Sequence, residues 1–150
     1  MNIRNPQLRI ELIKIVDPTI IGQLNSLLDE GTEWDWQQGE KFLKDPNNAL
    51  FVAFIENKAL GFLTANRLQR FDKRGAEVLL YEIGVHDDFR QRGIGKALIG
   101  AAKHWAKEAG ADEAWVLTNR SNMAAIALYQ STGGTTESET PDEVMFVFKL

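Results

Sequence analysis

The stretch from Tyr81 to Leu98 constrains this chain more than any other. An apolar run ending Ile83-Gly84-Val85 enters a polar turn that holds Arg90, Arg92, Gly93 and Gly95. Ile94, Ala97, Leu98, Ala101, Ala102, Trp105 and Ala109 then recur at helical spacing. A strand that turns through glycines into a helix leaves several backbone N–H groups without partners. Glycine lets the main chain turn tightly, and the first amides of a helix carry partial positive charge. Such a place binds phosphate.

Two common phosphate loops are excluded by residue type. A Walker loop needs glycine at position 90 and serine or threonine at 97, where Arg90 and Ala97 stand. A dinucleotide fingerprint needs a third glycine, and Leu98 occupies its place. The remaining pattern, Arg90-x-x-Gly93-x-Gly95 after a strand, resembles the acetyl-CoA signature of the GCN5-related N-acetyltransferase (GNAT) superfamily. Asn122-x-x-Ala125-Ile126-x-Leu128-Tyr129-x-x-x-Gly133 resembles that superfamily's second signature. The motif-bearing half, through Tyr81 to Val85 and Ala125 to Tyr129, is also similar, more loosely, to aminoglycoside 3-N-acetyltransferases.

The resemblance implies an α/β fold of mixed α+β character, spanning residues 1–150 as one acetyltransferase domain. It implies a twisted mixed sheet of about six or seven strands flanked by helices. The fourth and fifth strands would be parallel and splayed, with acetyl-CoA in the gap. Backbone groups of Ile83 and Val85, flanking Gly84, would pair with the pantetheine arm. Amides of Gln91, Arg92, Gly93, Ile94, Gly95 and Lys96 would surround the pyrophosphate, with Arg90 opening the loop and Asn122 on the cofactor's pantetheine or adenylate side. Tyr129 would stand near the sulfur. Two departures from the pattern occur. Asp87 stands where many members have proline, and Gly134 replaces the aromatic that often follows Gly133, which unsettles the packing expected there.

The chemistry requires two proton movements. An alkylammonium has a pKa of about 10.4, so an acceptor amine must lose a proton before attack. The leaving thiolate must then gain one. Glu82 is the candidate base, acting through a water, with Glu77 as runner-up. Tyr129 is the candidate acid, since a phenol stays protonated at neutral pH. The oxygen developing on the carbonyl needs a donor, and the resemblance implies the Val85 amide for that place. Each has a plainer alternative: Glu82 as a solvated or arginine-paired strand residue, Tyr129 as a core aromatic, Asn122 as a helix N-cap.

Composition narrows the partners. The formal charge of −4 argues against general nucleic-acid binding and favours a cationic substrate. Trp34, Asp35 and Trp36, among Asp29, Glu30 and Glu33, combine aromatic faces with carboxylates that suit an ammonium group. Hydrophobic anchoring is the competing reading of those tryptophans. The expected acceptor is a small cationic primary amine, aminoglycoside-like or polyamine-like, which raises the prospect of aminoglycoside resistance. A peptide or protein acceptor and a non-catalytic CoA sensor are the alternatives. There are no cysteines, and His86 and His104 have no metal-ligand spacing, so no metal is expected. No apolar run approaches a membrane span, and Met1 to Pro6 lacks a signal-peptide core, so the expectation is cytoplasmic, without membrane partners, with a homodimer implied by resemblance alone.

Along the chain, the pattern predicts strands at Leu8–Ile15, Leu50–Ile55, Ala59–Leu68, Glu77–Val85, Glu113–Thr118 and Glu143–Lys149, with a short one from Thr135 to Glu139. The apolar run of the fourth predicts burial near the sheet centre. Helices are predicted after Asp17-Pro18 to about Glu30, from Gly39 to Lys44, through the loop helix to Gly110, and from Asn122 to Ser131. Thr32 to Gln38 reads as irregular.

Overall fold

A computed structural model describes residues 7–27 and 35–136 of the chain. Five strands form one sheet in the order β1-β2-β3-β4-β5: β1 (Leu8–Ile13), β2 (Asn48–Ile55), β3 (Lys58–Gln69), β4 (Ala76–Val85) and β5 (Ala111–Trp115). The first four are antiparallel neighbours, and β5 runs parallel to β4. The strands expected at 135–139 and 143–149 lie largely or wholly outside the described residues. Four α-helices cover the faces: α1 (Pro18–Leu24), α2 (Trp36–Lys44), α3 (Ile94–Glu108) and α4 (Met123–Ser131).

Local chemistry explains the helix starts. Asp17 accepts from the Thr19 amide at 2.8 Å, with Pro18 in the first turn, and Asp35 accepts from the Gln38 amide at 3.0 Å. The second cap corrects the expectation that residues 32–38 are irregular, because α2 already begins at Trp36. The first helix gives way to a 3-10 turn at Asn25–Leu27, before the expected end.

The sheet has two apolar faces. On one, α3 lays Ile94, Leu98, Ile99, Ala102 and Ala106 against Phe51, Leu63, Ala65, Val78 and Leu80. Trp105 meets Phe51 edge to face at 6.3 Å. The buried stripe is turned from the expected one towards Ile99 and Ala106, leaving Ala97, Ala101 and Ala109 half-buried. The opposite face is smaller: Leu24 with Phe42 and Leu43 covers Leu50, Val52, Phe54 and Phe62.

The fourth strand is buried only over its first half, at Ala76, Val78 and Leu80; the centre of the described sheet is β3. Its register with β3 slips between Leu80↔Ala65 and Glu82↔Thr64, which leaves Tyr81 as an extra, exposed residue. This bulge keeps Leu80 and Ile83 on the α3 face and turns Glu82 and Gly84 to the α1–α2 face. Pairing with β5 spans Ala76↔Ala111 to Leu79↔Trp115 and stops there. The fifth strand starts earlier than expected, directly after Gly110 at φ +74°, and ends at Trp115, so Val116–Thr118 lies outside it. The charged turn before β4 is pinned by Arg70, which donates to both Asp72 oxygens at 3.0 Å and to Glu77 at 2.6 Å.

Candidate active site

Beyond Leu79, β4 continues six residues with β3 on one side and no paired strand on the other among the described residues. The His86 amide donates to the Leu60 carbonyl at 2.9 Å, on the β3 side. Main-chain groups alternate in direction along a strand. The amides and carbonyls of Ile83 and Val85 therefore face the open side, and those of Gly84 face β3. The Val85 carbonyl fits this, because Arg90 Nε reaches it at 3.5 Å from beyond the strand end.

The chain then makes a 3-10 turn at Asp87–Phe89 and enters the loop. Gln91 (φ +59°) and Gly93 (φ +81°) both adopt the left-handed region. That is costly for a residue with a Cβ and free for glycine. A side chain at Gly93 would meet open space, so glycine is required there by conformation. Gly95 differs: a Cβ there would come within 2.9 Å of Leu128 Cδ2 on α4. The two loop glycines thus serve separate purposes, one to turn the backbone and one to admit a neighbouring helix.

The charged groups of the loop divide as well. Arg90 pairs with Asp87 at 2.8 Å and, with its contact to Val85, braces the turn. The Arg92 guanidinium stands 5.0 Å from the Phe89 ring centre. Lys96 is exposed on the first turn of α3. Asp87 is accommodated where proline is common, as the ion-pair partner of Arg90.

Glu82 is exposed on the α1–α2 face and accepts from the Thr64 hydroxyl at 3.3 Å. The runner-up Glu77 lies in the paired half of β4, bound to Arg70, on the far side of the bulge. Asp35 and Trp36 begin α2, whose Phe42 and Leu43 pack on the face that carries Glu82; Trp36 is partly exposed. Asp35 spends one carboxylate oxygen on the helix cap. Trp34 lies outside the described residues.

Asn122 caps α4 through Oδ1, which accepts from the Ala125 amide at 3.1 Å. Tyr129 sits half-buried in the last turns of α4, packed against the α3 core. Burial raises its phenol above the ordinary value, which strengthens its hold on the proton. The Gly134 amide donates to the Tyr129 carbonyl at 2.9 Å, and a Cβ at 134 would come within 2.9 Å of that same oxygen. The departure at Gly134 is therefore accommodated by a tight helix end. Sequence reasoning passed over Thr64, which stands in no motif and reaches Glu82 only through the β3–β4 register.

A sheet edge opening beside a helix N-terminus, with a phenol on the adjoining helix, is the architecture of an acyl-CoA-type transferase. The Acetyltransferase (GNAT) family model matches residues 19–133, and this chain belongs to that family. It is similar to N-acetyltransferase 8 of Homo sapiens, 29% identical over 94 residues, 63% of this chain and 41% of that protein. The match thus spans under half of that relative's length. It is also similar to aminoglycoside N(6′)-acetyltransferase type 1 of Salmonella typhimurium strain LT2, 31% identical over 99 residues, 63% of this chain and 68% of that one. The solved structure of AAC(6′)-Iy in complex with the bisubstrate analog CoA-S-monomethyl-acetylneamine superposes with a TM-score of 0.79 at 26% identity, over 96% of this chain and 99% of that one. These aminoglycoside relatives carry a 6′ designation where the sequence resemblance pointed to 3-N. Among the described residues no helix is long and apolar enough to cross a membrane.

Proposed function

We propose that this protein transfers an acetyl group from acetyl-CoA to a primary amine of a small cationic molecule, aminoglycoside-like or polyamine-like. The observation that carries the reading is the open edge of β4 from Ile83 to Val85, running directly into the amides of the loop. The main chain there offers the pantetheine amides a strand-like partner. Amides from Gln91 to Lys96 receive the pyrophosphate, with Arg92 and Lys96 adding charge. The Oδ1 of Asn122 is taken by the α4 cap, so its Nδ2 is the group that meets the cofactor.

Glu82, through a water, takes the proton of the acceptor ammonium. The amine attacks the thioester carbonyl, whose oxygen gains charge beside the Val85 amide. As the C–S bond breaks, Tyr129 donates its proton to the departing thiolate, and the second proton shed by the nitrogen as the amide forms passes through water to restore the phenol. Trp34, Asp35 and Trp36 bind the cationic acceptor, Asp35 and Trp36 from the start of the helix whose Phe42 and Leu43 pack on the face that carries Glu82. The aminoglycoside relatives and the bisubstrate complex support this acceptor class.

Thiol release from acetyl-CoA, followed with sisomicin, spermidine and an alanine-terminated peptide, tests the reading. Release with either small amine is expected. Release with the peptide alone would move the function to protein acetylation, and CoA binding without release with any amine would make the chain a sensor. Tyr129→Phe should lower kcat by about 100-fold and leave CoA affinity unchanged; unaltered turnover would remove the acid role.

A further inference from the structure

We propose that Lys103 is a positioning residue for the Tyr129 phenol, acting through the C-terminal cap of α4; this rests on the acid role given to Tyr129 above. Tyr129 is the third-from-last residue of a nine-residue helix. So short a helix is marginal by itself and frays at its last turn unless its carbonyls are held. Here they are held closely. The Tyr129 carbonyl accepts from the Gly134 amide (2.9 Å), the Thr132 hydroxyl (2.9 Å) and the Thr132 amide (3.2 Å). The Leu128 carbonyl accepts from the Thr132 hydroxyl (3.0 Å), the Ser131 hydroxyl (2.8 Å) and the Thr132 amide (3.2 Å). Gly133 at φ +92°, with its amide on Gln130, completes the turn.

This cap is internally bonded, and among the described residues a hydrogen bond ties it to α3. Lys103 Nζ, on α3, donates to the Thr132 carbonyl at 2.9 Å. A cation at that end also complements the helix dipole. A second α3–α4 anchor is Leu128 against Gly95, in the first turn of α3. The two anchors fix the last turn of α4 to the same helix whose N-terminus forms the loop. The phenol is thereby held at a set distance from the loop amides, which is what a proton donor to a loop-bound thiolate requires. An exposed lysine with this bond has a bland alternative, a surface contact of no consequence.

The chain has two tyrosines, so a Tyr81→Phe background leaves Tyr129 as the one phenol to titrate. In that background Tyr129 should form tyrosinate above the ordinary phenol range. Lys103→Met should bring its titration back towards that range and Lys103→Arg should restore it; an unmoved titration in Lys103→Met would overturn the proposal. In the otherwise native chain, Lys103→Met should lower kcat about three- to tenfold, the size of one exposed charge-assisted hydrogen bond, with CoA affinity unchanged. The same change added to Tyr129→Phe should cost nothing further. An equal loss in both backgrounds would overturn the positioning role while leaving the acid role intact. Full activity of Tyr129→Phe alone would overturn both.

Discussion

The two halves of β4 are made of similar residues and held in opposite ways. From Ala76 to Leu79 the strand is paired with β3 on one side and β5 on the other, and its Val78 side chain is fully buried. From Glu82 to Val85 it keeps β3 alone, and no residue is fully buried. The first half has a strand on each side, with a register shift against β5 between Ala76 and Glu77, and contributes stability. The second half, among the described residues, leaves the main-chain groups of Ile83 and the Val85 amide without a strand partner, while the Val85 carbonyl accepts from Arg90. A single strand thus combines a rigid footing with an unsatisfied edge. The rigidity matters to the edge, because a pre-ordered edge loses less entropy when it pairs.

That contrast can be broken by substitution. Val85→Pro removes an amide that faces the gap and leaves the bonds to β3 in place, as proline is tolerated on an open strand edge. Turnover should fall about 100-fold, the cost of one oxyanion donor, with little change in the urea midpoint. A large loss of stability would show that the Val85 amide is used within the fold. The reverse is expected in the paired half. Val78→Ala should cost about 2 kcal/mol in urea unfolding and leave kcat per folded molecule unchanged. Glu82→Gln keeps an acceptor for the Thr64 hydroxyl, so stability should hold within about 0.5 kcal/mol. Its turnover should fall about tenfold, with the deficit widening towards low pH, where fewer acceptor amines are already unprotonated. A rate profile parallel to the parent's would reject Glu82 as base.

The smallest effect concerns Tyr129. Its phenol is raised in the folded state by burial. Stability linked to it is therefore complete below the ordinary phenol value and is lost as pH rises towards the folded one, because the unfolded chain ionises first. Thermal unfolding of the parent and Tyr129→Phe, compared across the alkaline range, should show a steeper decline in the parent; matching slopes would contradict the shift.

Much of the site was legible because its signals are local. Gly93, Gly95 and the helical spacing from Ile94 onward mark a strand-to-helix turn without tertiary information, and Asp17 and Asn122 are cap residues by type. The α2 start was legible too, since Asp35 with Gln38 three residues on forms a capping pair; the tryptophans drew attention from it. The splay came from the family resemblance and was not legible in strand propensity. Val116-Leu117-Thr118 has the composition of a strand, but whether it pairs depends on where β4 goes, and strand propensity carries no such information. The bulge was equally hidden, because an apolar run such as Val78 to Tyr81 has no alternation from which a slip could be read. Rotation of the α3 stripe towards Ile99 and Ala106 follows from the shape of the sheet beneath it, which periodicity does not specify.

The extra residue at Tyr81 has a consequence for parity. A strand shows successive side chains to opposite sides, so everything after the bulge is displaced by one count. Were Tyr81 drawn into a regular ladder, with no bulge to absorb it, the carboxylate of Glu82 would turn into the greasy layer beneath α3 and the isoleucine after it would turn to the opposite face. How the pairing absorbs one supernumerary residue decides which side of the sheet receives an acid and which receives a hydrocarbon.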